Sequence, residues 1–322
     1  MQNQRKYFKL NLFFILIGII LIYILSFINI NYVNENNRFK KVQSNLKIIN
    51  LGSSHGLYGI KYPAGLEAFN FALPSQPFYY DLRILKKNAN KVQKNGIVII
   101  PISIFSFYQE NESKELEEIS DTYYMFLEAD EVYLGDRKKS FLIKYFSLLY
   151  NGRDVIPLTK YLLSSLKNRS FKPQTLKWPR NLSLDEKIKE AEITTERHLK
   201  TNDLKVYQPS DFSSSYLGKI LKICKENNLK PVLITTPQSY LYNERITETN
   251  YEKRIYSHIR ELKNQFQIEY FDYSHDSRFM NNLDLFFDDD HLNERGAEIF
   301  TEILLMDLKE KGLMLNQTKG AF

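Results

Sequence analysis

Leu10 to Ile30 reads LNLFFILIGIILIYILSFINI, and no charged residue occurs between Lys9 and Glu35. A helix of that length, at roughly 1.5 Å per residue, reaches roughly 31 Å and so matches the hydrocarbon core of a bilayer. With no water in that core to satisfy backbone groups, the segment has to be helical. A cleavable signal peptide would carry a shorter apolar region, about 7 to 15 residues, followed by small residues. Here the exit runs Ser26-Phe-Ile-Asn-Ile-Asn-Tyr-Val33, and no cysteine follows to carry a lipid. The expectation is an uncleaved single-pass anchor over residues 10–30, with 1–9 as a cytoplasmic tail. Arg5, Lys6 and Lys9 precede the span, and Arg38, Lys40 and Lys41 follow it. The counts tie, but the first set lies closer and Glu35 dilutes the second. That places the N-terminus inside the cell and the remaining chain outside the membrane.

Over the whole chain the composition is that of a globular protein, 43% hydrophobic and 25% charged. The formal charge is +6. Lys and Arg are interspersed with Asp and Glu, so no binding of nucleic acid is expected. The single cysteine, Cys224, excludes an internal disulfide and multi-cysteine metal sites. It stands in a helical run from Tyr216 and reads as a packed thiol.

Residues 31–45 are polar and Asn-rich and read as a short tether. Leu46-Lys-Ile-Ile-Asn-Leu51 is then an apolar run of strand length, ending in Gly52-Ser53-Ser54-His55-Gly56. Short strands are also expected over 67–72, 96–103, 231–236 and 268–273, with helices over 77–93, 212–227, 251–266 and 293–311. The third of these runs, Gly96-Ile-Val-Ile-Ile-Pro-Ile-Ser103, is apolar without alternation, as in parallel strands buried on both faces. Alternating strands and helices predict an α/β fold: a three-layer α/β/α sandwich around a mostly parallel sheet, built from residues 46–110 and 208–315. The block 111–207 has few strand signals and reads as a helical insertion.

Two stretches carry chemistry. Gly52-Ser53-Ser54-His55 follows the first strand, and Phe286-Phe-Asp288-Asp-Asp-His291-Leu-Asn-Glu-Arg-Gly296 precedes the last helix. A serine hydroxyl is a poor nucleophile until a base accepts its proton. Histidine suits that role, and a carboxylate on its far side fixes the tautomer. Asp288 lies three residues before His291, so one loop can hold the pair. The plainer readings are an ordinary turn at Gly-Ser-Ser and a helix cap or cation site at Asp288-Asp-Asp-His291. No metal ligand spacing accompanies the remaining histidines, and neither metal nor cofactor is expected. His198, His258 and His275 read as surface or structural. His55 either orients substrate or packs.

Together these stretches resemble the SGNH, or GDSL-like, hydrolase superfamily, over about residues 45–106 and 212–308. The resemblance implies Ser54 as nucleophile, Asp288 as the acid and His291 as the base. It also implies an oxyanion hole from the Ser54 amide, the amide of Ala72 at a position where the family has glycine, and Ser103 in place of an asparagine. A membrane-anchored subgroup of teichoic-acid D-alanylation and exopolysaccharide O-acetylation proteins combines a span, a Gly-Ser-Ser turn and an altered third block. That likeness implies a serine acyltransferase or esterase working on acyl esters of a cell-surface glycan or teichoic acid, with a multi-span membrane acyltransferase as partner. The alternatives are a pure esterase and a catalytically silent assembly or glycan-binding protein. Phe141, Leu142, Tyr145, Phe146, Leu148 and Leu149, beside Lys138, Lys139 and Lys144, read as a helix packing on its own domain, or as one facing a partner or membrane.

Overall fold

The computed structural model describes residues 2–107, 112–199 and 211–314. The expected boundaries at 110, 111, 207, 208 and 315 lie outside the described residues. The chain opens with α1 (Gln2–Ile28), β1 (Leu46–Asn50), α2 (Ser54–Gly59), β2 (Ala68–Asn70), α3 (Phe78–Asn88) and β3 (Val92–Pro101). Four helices follow: α4 (Glu112–Tyr123), α5 (Arg137–Tyr145), α6 (Ser147–Tyr150) and α7 (Val155–Asn168). Next come α8 (Leu184–Leu199), α9 (Asp211–Glu226), β4 (Lys230–Thr235), α10 (Tyr240–Asn243) and α11 (Glu248–Tyr251). The chain ends with α12 (Ser257–Gln265), β5 (Glu269–Asp272), α13 (Ser277–Met280) and α14 (Glu294–Glu310). Two compact units divide these elements. Val42–Glu112 and Trp178–Phe322 form one, and Met1–Lys41 with Ser113–Lys177 the other.

The first unit is built on one parallel sheet with strand order β2-β1-β3-β4-β5. Successive residues of a strand face opposite sides, so an all-apolar run feeds two cores. Ile48, Ile97, Ile99, Val232 and Ile234 point to one face and pack with Ala297, Phe300, Leu304 and Leu308 of α14, spaced three or four residues apart. Their neighbours Ile49, Val98, Ile100 and Leu233 are fully buried on the other face. There α3 packs on α9, and α9 on β4. Cys224 is buried in this unit, and burial pushes its thiol up to about 12. The result is the three-layer α/β/α sandwich that strand-helix alternation predicts. The chain reverses direction across the sheet at β1, which has β2 on one side and β3 on the other. At such a switch point the carboxyl ends of the two central strands open a crevice. Ser54 follows β1 and Ser103 follows β3.

In the other unit, α1 runs on through a π-helical turn, Asn29–Val33, into a 3-10 helix, Glu35–Lys41. Residues 31–45, expected as a tether, are therefore largely helical. The reason is local burial: Val33 packs with Leu158 and Tyr161, and Phe39 stacks on Phe126 at 4.2 Å. Among the described residues one helix, Gln4–Val33, is long and apolar enough to cross a membrane. The expected 111–207 insertion divides. Ser113–Lys177 groups with α1, whereas Trp178 and α8 group with the sheet.

Candidate active site

The turn after β1 is set by Gly52. Its φ of +107° is a conformation L side chains rarely adopt, and a Cβ there would sit 3.0 Å from Cδ of Pro101. Its N–H donates to Asp81 Oδ1 at 2.8 Å, and its carbonyl accepts from the Leu73 amide at 3.2 Å. Asp81, from α3, is wholly buried, and burial pushes its carboxyl up to about 7. Asn70, at the end of β2, donates to the carbonyls of Gly56 at 3.0 Å and Ile60 at 2.9 Å and accepts from Asn50 at 2.9 Å. These bonds fix both ends of α2, whose first residue is the half-buried Ser54.

The second part of the site is a pinched loop. A bridge between Phe286 and Leu292 closes it, and the Phe287 amide donates to the His291 carbonyl at 3.0 Å. Lys187 of α8 reaches in from outside the loop, donating to the carbonyls of Leu283 at 2.7 Å and Phe286 at 2.8 Å. Asn293 caps α14, accepting from the Gly296 amide at 3.0 Å. Within the loop Asp288 Oδ1 accepts from the amides of His291, at 2.7 Å, and Asp290, at 3.1 Å.

This scaffold brings the three expected residues together. His291 Nε2 lies 2.8 Å from Ser54 Oγ, and His291 Nδ1 lies 2.9 Å from Asp288 Oδ2. Phe287 stacks on the imidazole at 5.3 Å and 4°, and Tyr58 meets it edge-on at 5.9 Å. Burial works to lower the pKa of His291, but the charges of Asp290 and Asp288 and their hydrogen bonds outweigh it and hold the imidazole well above its ordinary value.

Asp290 was missed by sequence reasoning. Its Oδ1 lies 2.8 Å from the same Nδ1, and its Oδ2 lies 3.2 Å from His55 Nε2. His55 Nδ1 in turn lies 2.6 Å from Ser103 Oγ. A continuous polar chain therefore runs Ser54–His291–Asp290–His55–Ser103. Although Asp290 is buried, the two histidines hold its carboxyl well below the usual range. His198, expected to be structural or at the surface, stands 3.9 Å from Asp290 and 2.9 Å from the Tyr242 hydroxyl; burial lowers it to about 3. Asp289 is buried with neither carboxylate oxygen hydrogen-bonded.

Of the two readings of His55, its surroundings match packing: it is buried, with one ring nitrogen on Ser103 and the other on Asp290. The Ala72 amide donates to Asn70 Oδ1 at 2.9 Å, because the β2 turn folds back on that side chain. The Ser103 hydroxyl meets His55, and its amide donates to Ser106 Oγ at 2.8 Å. The Ser54 amide stands in the first turn of α2, where backbone N–H groups have no acceptor within the helix. His55, Asp290 and His291 each offer a ligand atom within 4.8 Å of the others, as do Asp288, Asp289 and Asp290. In the first set those atoms already pair with one another as charge-assisted hydrogen bonds.

A comparison with curated protein sequences finds no match. Among solved structures, the crystal structure of a "putative acylhydrolase" from Bacteroides fragilis is similar at 12% identity and a TM-score of 0.40, covering 86% of this chain and 95% of that one. A protein-family model described as "Protein of unknown function (DUF1574)" matches residues 29–308, which include Ser54, the Asp288–His291 loop and nearly all of α14. The match covers most of the chain, and the chain accordingly belongs to the DUF1574 family.

Proposed function

We propose that the protein is a membrane-anchored serine enzyme of acyl esters, working through an acyl-Ser54 intermediate. The observation that carries this reading is the pair of distances at His291: 2.8 Å from Nε2 to Ser54 Oγ and 2.9 Å from Nδ1 to Asp288 Oδ2. Ser54 Oγ attacks the carbonyl carbon of an ester or thioester, and its proton passes to His291 Nε2. The tetrahedral intermediate collapses, its C–O or C–S bond breaks, and the leaving group takes that proton. A sugar hydroxyl or water then gives its proton to Nε2 and attacks the acyl-serine. The acyl group leaves on the new oxygen, and the proton returns to Ser54 Oγ. Asp288 and Asp290 stabilise the imidazolium in both halves.

The anchor and the resemblance to cell-surface acylation proteins support a glycan or teichoic acid as acceptor. They also support an extracytoplasmic catalytic unit, a multi-span acyltransferase as donor and SGNH-type chemistry. Transfer is the reading preferred over hydrolysis. The second reading, a catalytically silent assembly or glycan-binding protein, is favoured by one observation: the Ala72 amide and the Ser103 hydroxyl are already bonded within the protein. A serine-reactive fluorophosphonate separates the two. The expected result is one phosphonyl adduct at Ser54 in the wild type, absent in Ser54→Ala and His291→Ala. A folded wild type that takes no label sinks the enzymatic reading.

A further inference from the structure

Among the described residues, large apolar side chains exposed to solvent are confined to α1 and to the segment Leu134–Phe171, with three exceptions: Leu184, Ile193 and Met306. Both regions belong to the same compact unit. The second is fastened to the C-terminal end of α1. Asn29 Nδ2 donates to Ser147 Oγ at 3.2 Å and to Asp154 Oδ2 at 2.8 Å, and the Leu148 amide donates to Ser26 Oγ at 3.3 Å. The Tyr23 ring lies 5.9 Å from that of Phe146. Helices α5 to α7 therefore stand where the apolar span of α1 ends.

Helix α7 is two-faced. Leu158, Tyr161 and Ser165 are buried, and the first two pack against Val33, Leu25 and Ile28. Ile156, Lys160, Leu163 and Lys167, at spacings of three and four, point the other way and are exposed. Phe141 and Leu149 add exposed apolar surface from α5 and α6. Charge is one-sided too. Between Arg137 and Lys172 the sequence carries nine Lys or Arg, of which Lys139 and Lys144 pair with Asp121 and Glu128, and one acidic residue, Asp154, which Asn29 engages. The overall balance of +6 conceals this concentration. Exposed Leu, Ile and Phe interleaved with Lys and Arg suit the boundary between anionic headgroups and acyl chains.

We propose that α5–α7 form an amphipathic collar lying in the headgroup region of the membrane that α1 crosses, with a preference for anionic phospholipid. The collar rests on the anchored reading of α1 and is independent of the catalytic one. It would fix the orientation of the N-terminal unit on the bilayer and add a second attachment to the single span.

The test uses the full chain in vesicles, with a polarity-sensitive fluorophore on introduced cysteines; Cys224 is buried and its thiol pushed up to about 12, so it stays unlabelled. Probes go at Ile156→Cys and Leu163→Cys in the collar, Phe14→Cys in α1 and Lys263→Cys in α12. Quenching is read with nitroxide lipids labelled at the headgroup or deep in the chain, in phosphatidylcholine with and without phosphatidylglycerol. The expected result is headgroup-level quenching at 156 and 163, about threefold above that at 263 and stronger with phosphatidylglycerol. Lys160→Glu with Lys167→Glu, both exposed changes, should remove that enhancement. Unquenched probes at 156 and 163 beside a deeply quenched probe at 14 would overturn the collar and leave the anchor standing. An unquenched probe at 14 would separately overturn the anchor. Equal quenching with and without phosphatidylglycerol would overturn the anionic preference, and burial of the probes only when another protein is added would make the surface a protein-docking face.

Discussion

Asp290 Oδ1 stands 2.8 Å from His291 Nδ1, beside Asp288 Oδ2 at 2.9 Å on the same nitrogen. One N–H thus serves two carboxylates, and they are not equivalent. Asp288 also holds the loop through the amides of Asp290 and His291, whereas buried Asp290 reaches on to His55. The carboxylate whose charge acts most on His291 need not be the one that shapes its loop.

That division predicts the pH profile. General-base work needs neutral His291, which the two carboxylates hold protonated above its ordinary range. The kcat/KM for a small activated ester should therefore climb with pH along a limb lying above about 6.5, the usual histidine value. Asp290→Asn removes a charge, so the limb should move to lower pH while kcat falls on the order of 10²- to 10⁴-fold. Asp288→Asn should move it less and also lower the melting temperature. A limb untouched by Asp290→Asn would leave Asp288 as the sole partner.

His55 sits beside Ser54 in sequence, but its ring is turned inward to Ser103 and Asp290. His55→Ala should lower kcat about tenfold through Asp290, with KM little changed and the pH limb displaced. Restoring a donor with His55→Asn should recover part of the loss. A rise in KM alone would instead return His55 to the substrate.

The sheet was legible because its strands are apolar on both faces: the run at Ile97–Ile100 admits few placements other than a central parallel strand. Ser54, Asp288 and His291 were legible because short-range constraints select them, a glycine turn for one and a three-residue spacing for the others. Asp290 was not. Three consecutive aspartates precede His291, and only the Phe286–Leu292 pinch decides which of them face it. The helical path of residues 31–41 was hidden for another reason. Its polar sequence has little periodicity of its own, and Val33 and Phe39 are held by residues more than eighty positions away.

Asp81 ties stability to pH. Its carboxyl titrates at about 7 in the folded protein against 3.8 as the ordinary value. Between those values the folded state keeps a proton that the unfolded chain releases, so this contribution is full below about 3.8 and lost as pH rises through about 7. Asp81→Asn keeps an acceptor for the Gly52 amide and cannot ionise. The melting temperature of the variant minus that of wild type should therefore grow more positive from pH 4 to pH 8, read by thermal melts in matched buffers. A flat difference would mean that Asp81 does not titrate in this range.

Lys187 links α8, outside the expected catalytic segments, to the loop that holds His291 against Ser54. Its ammonium satisfies two backbone carbonyls, of Leu283 and Phe286, beside the bridge that closes the Asp288–His291 loop. Lys187→Met keeps the aliphatic stem and removes the charged donors, leaving Leu283 O with the Phe286 amide at 3.2 Å and Phe286 O with Asn293 Nδ2 at 3.4 Å; a lost hydrogen bond to a charged group costs about 1.5–3 kcal/mol. A chain of this size should lose several degrees of melting temperature, at roughly 2–4 °C per kcal/mol. The parallel sheet is built elsewhere, so the circular dichroism spectrum should hold. Fluorophosphonate labelling of Ser54 should slow by about tenfold or more, because a displaced imidazole no longer meets the hydroxyl. Labelling at the wild-type rate in a destabilised variant would show that the Phe286–Leu292 bridge suffices to aim His291, and would confine Lys187 to a structural part.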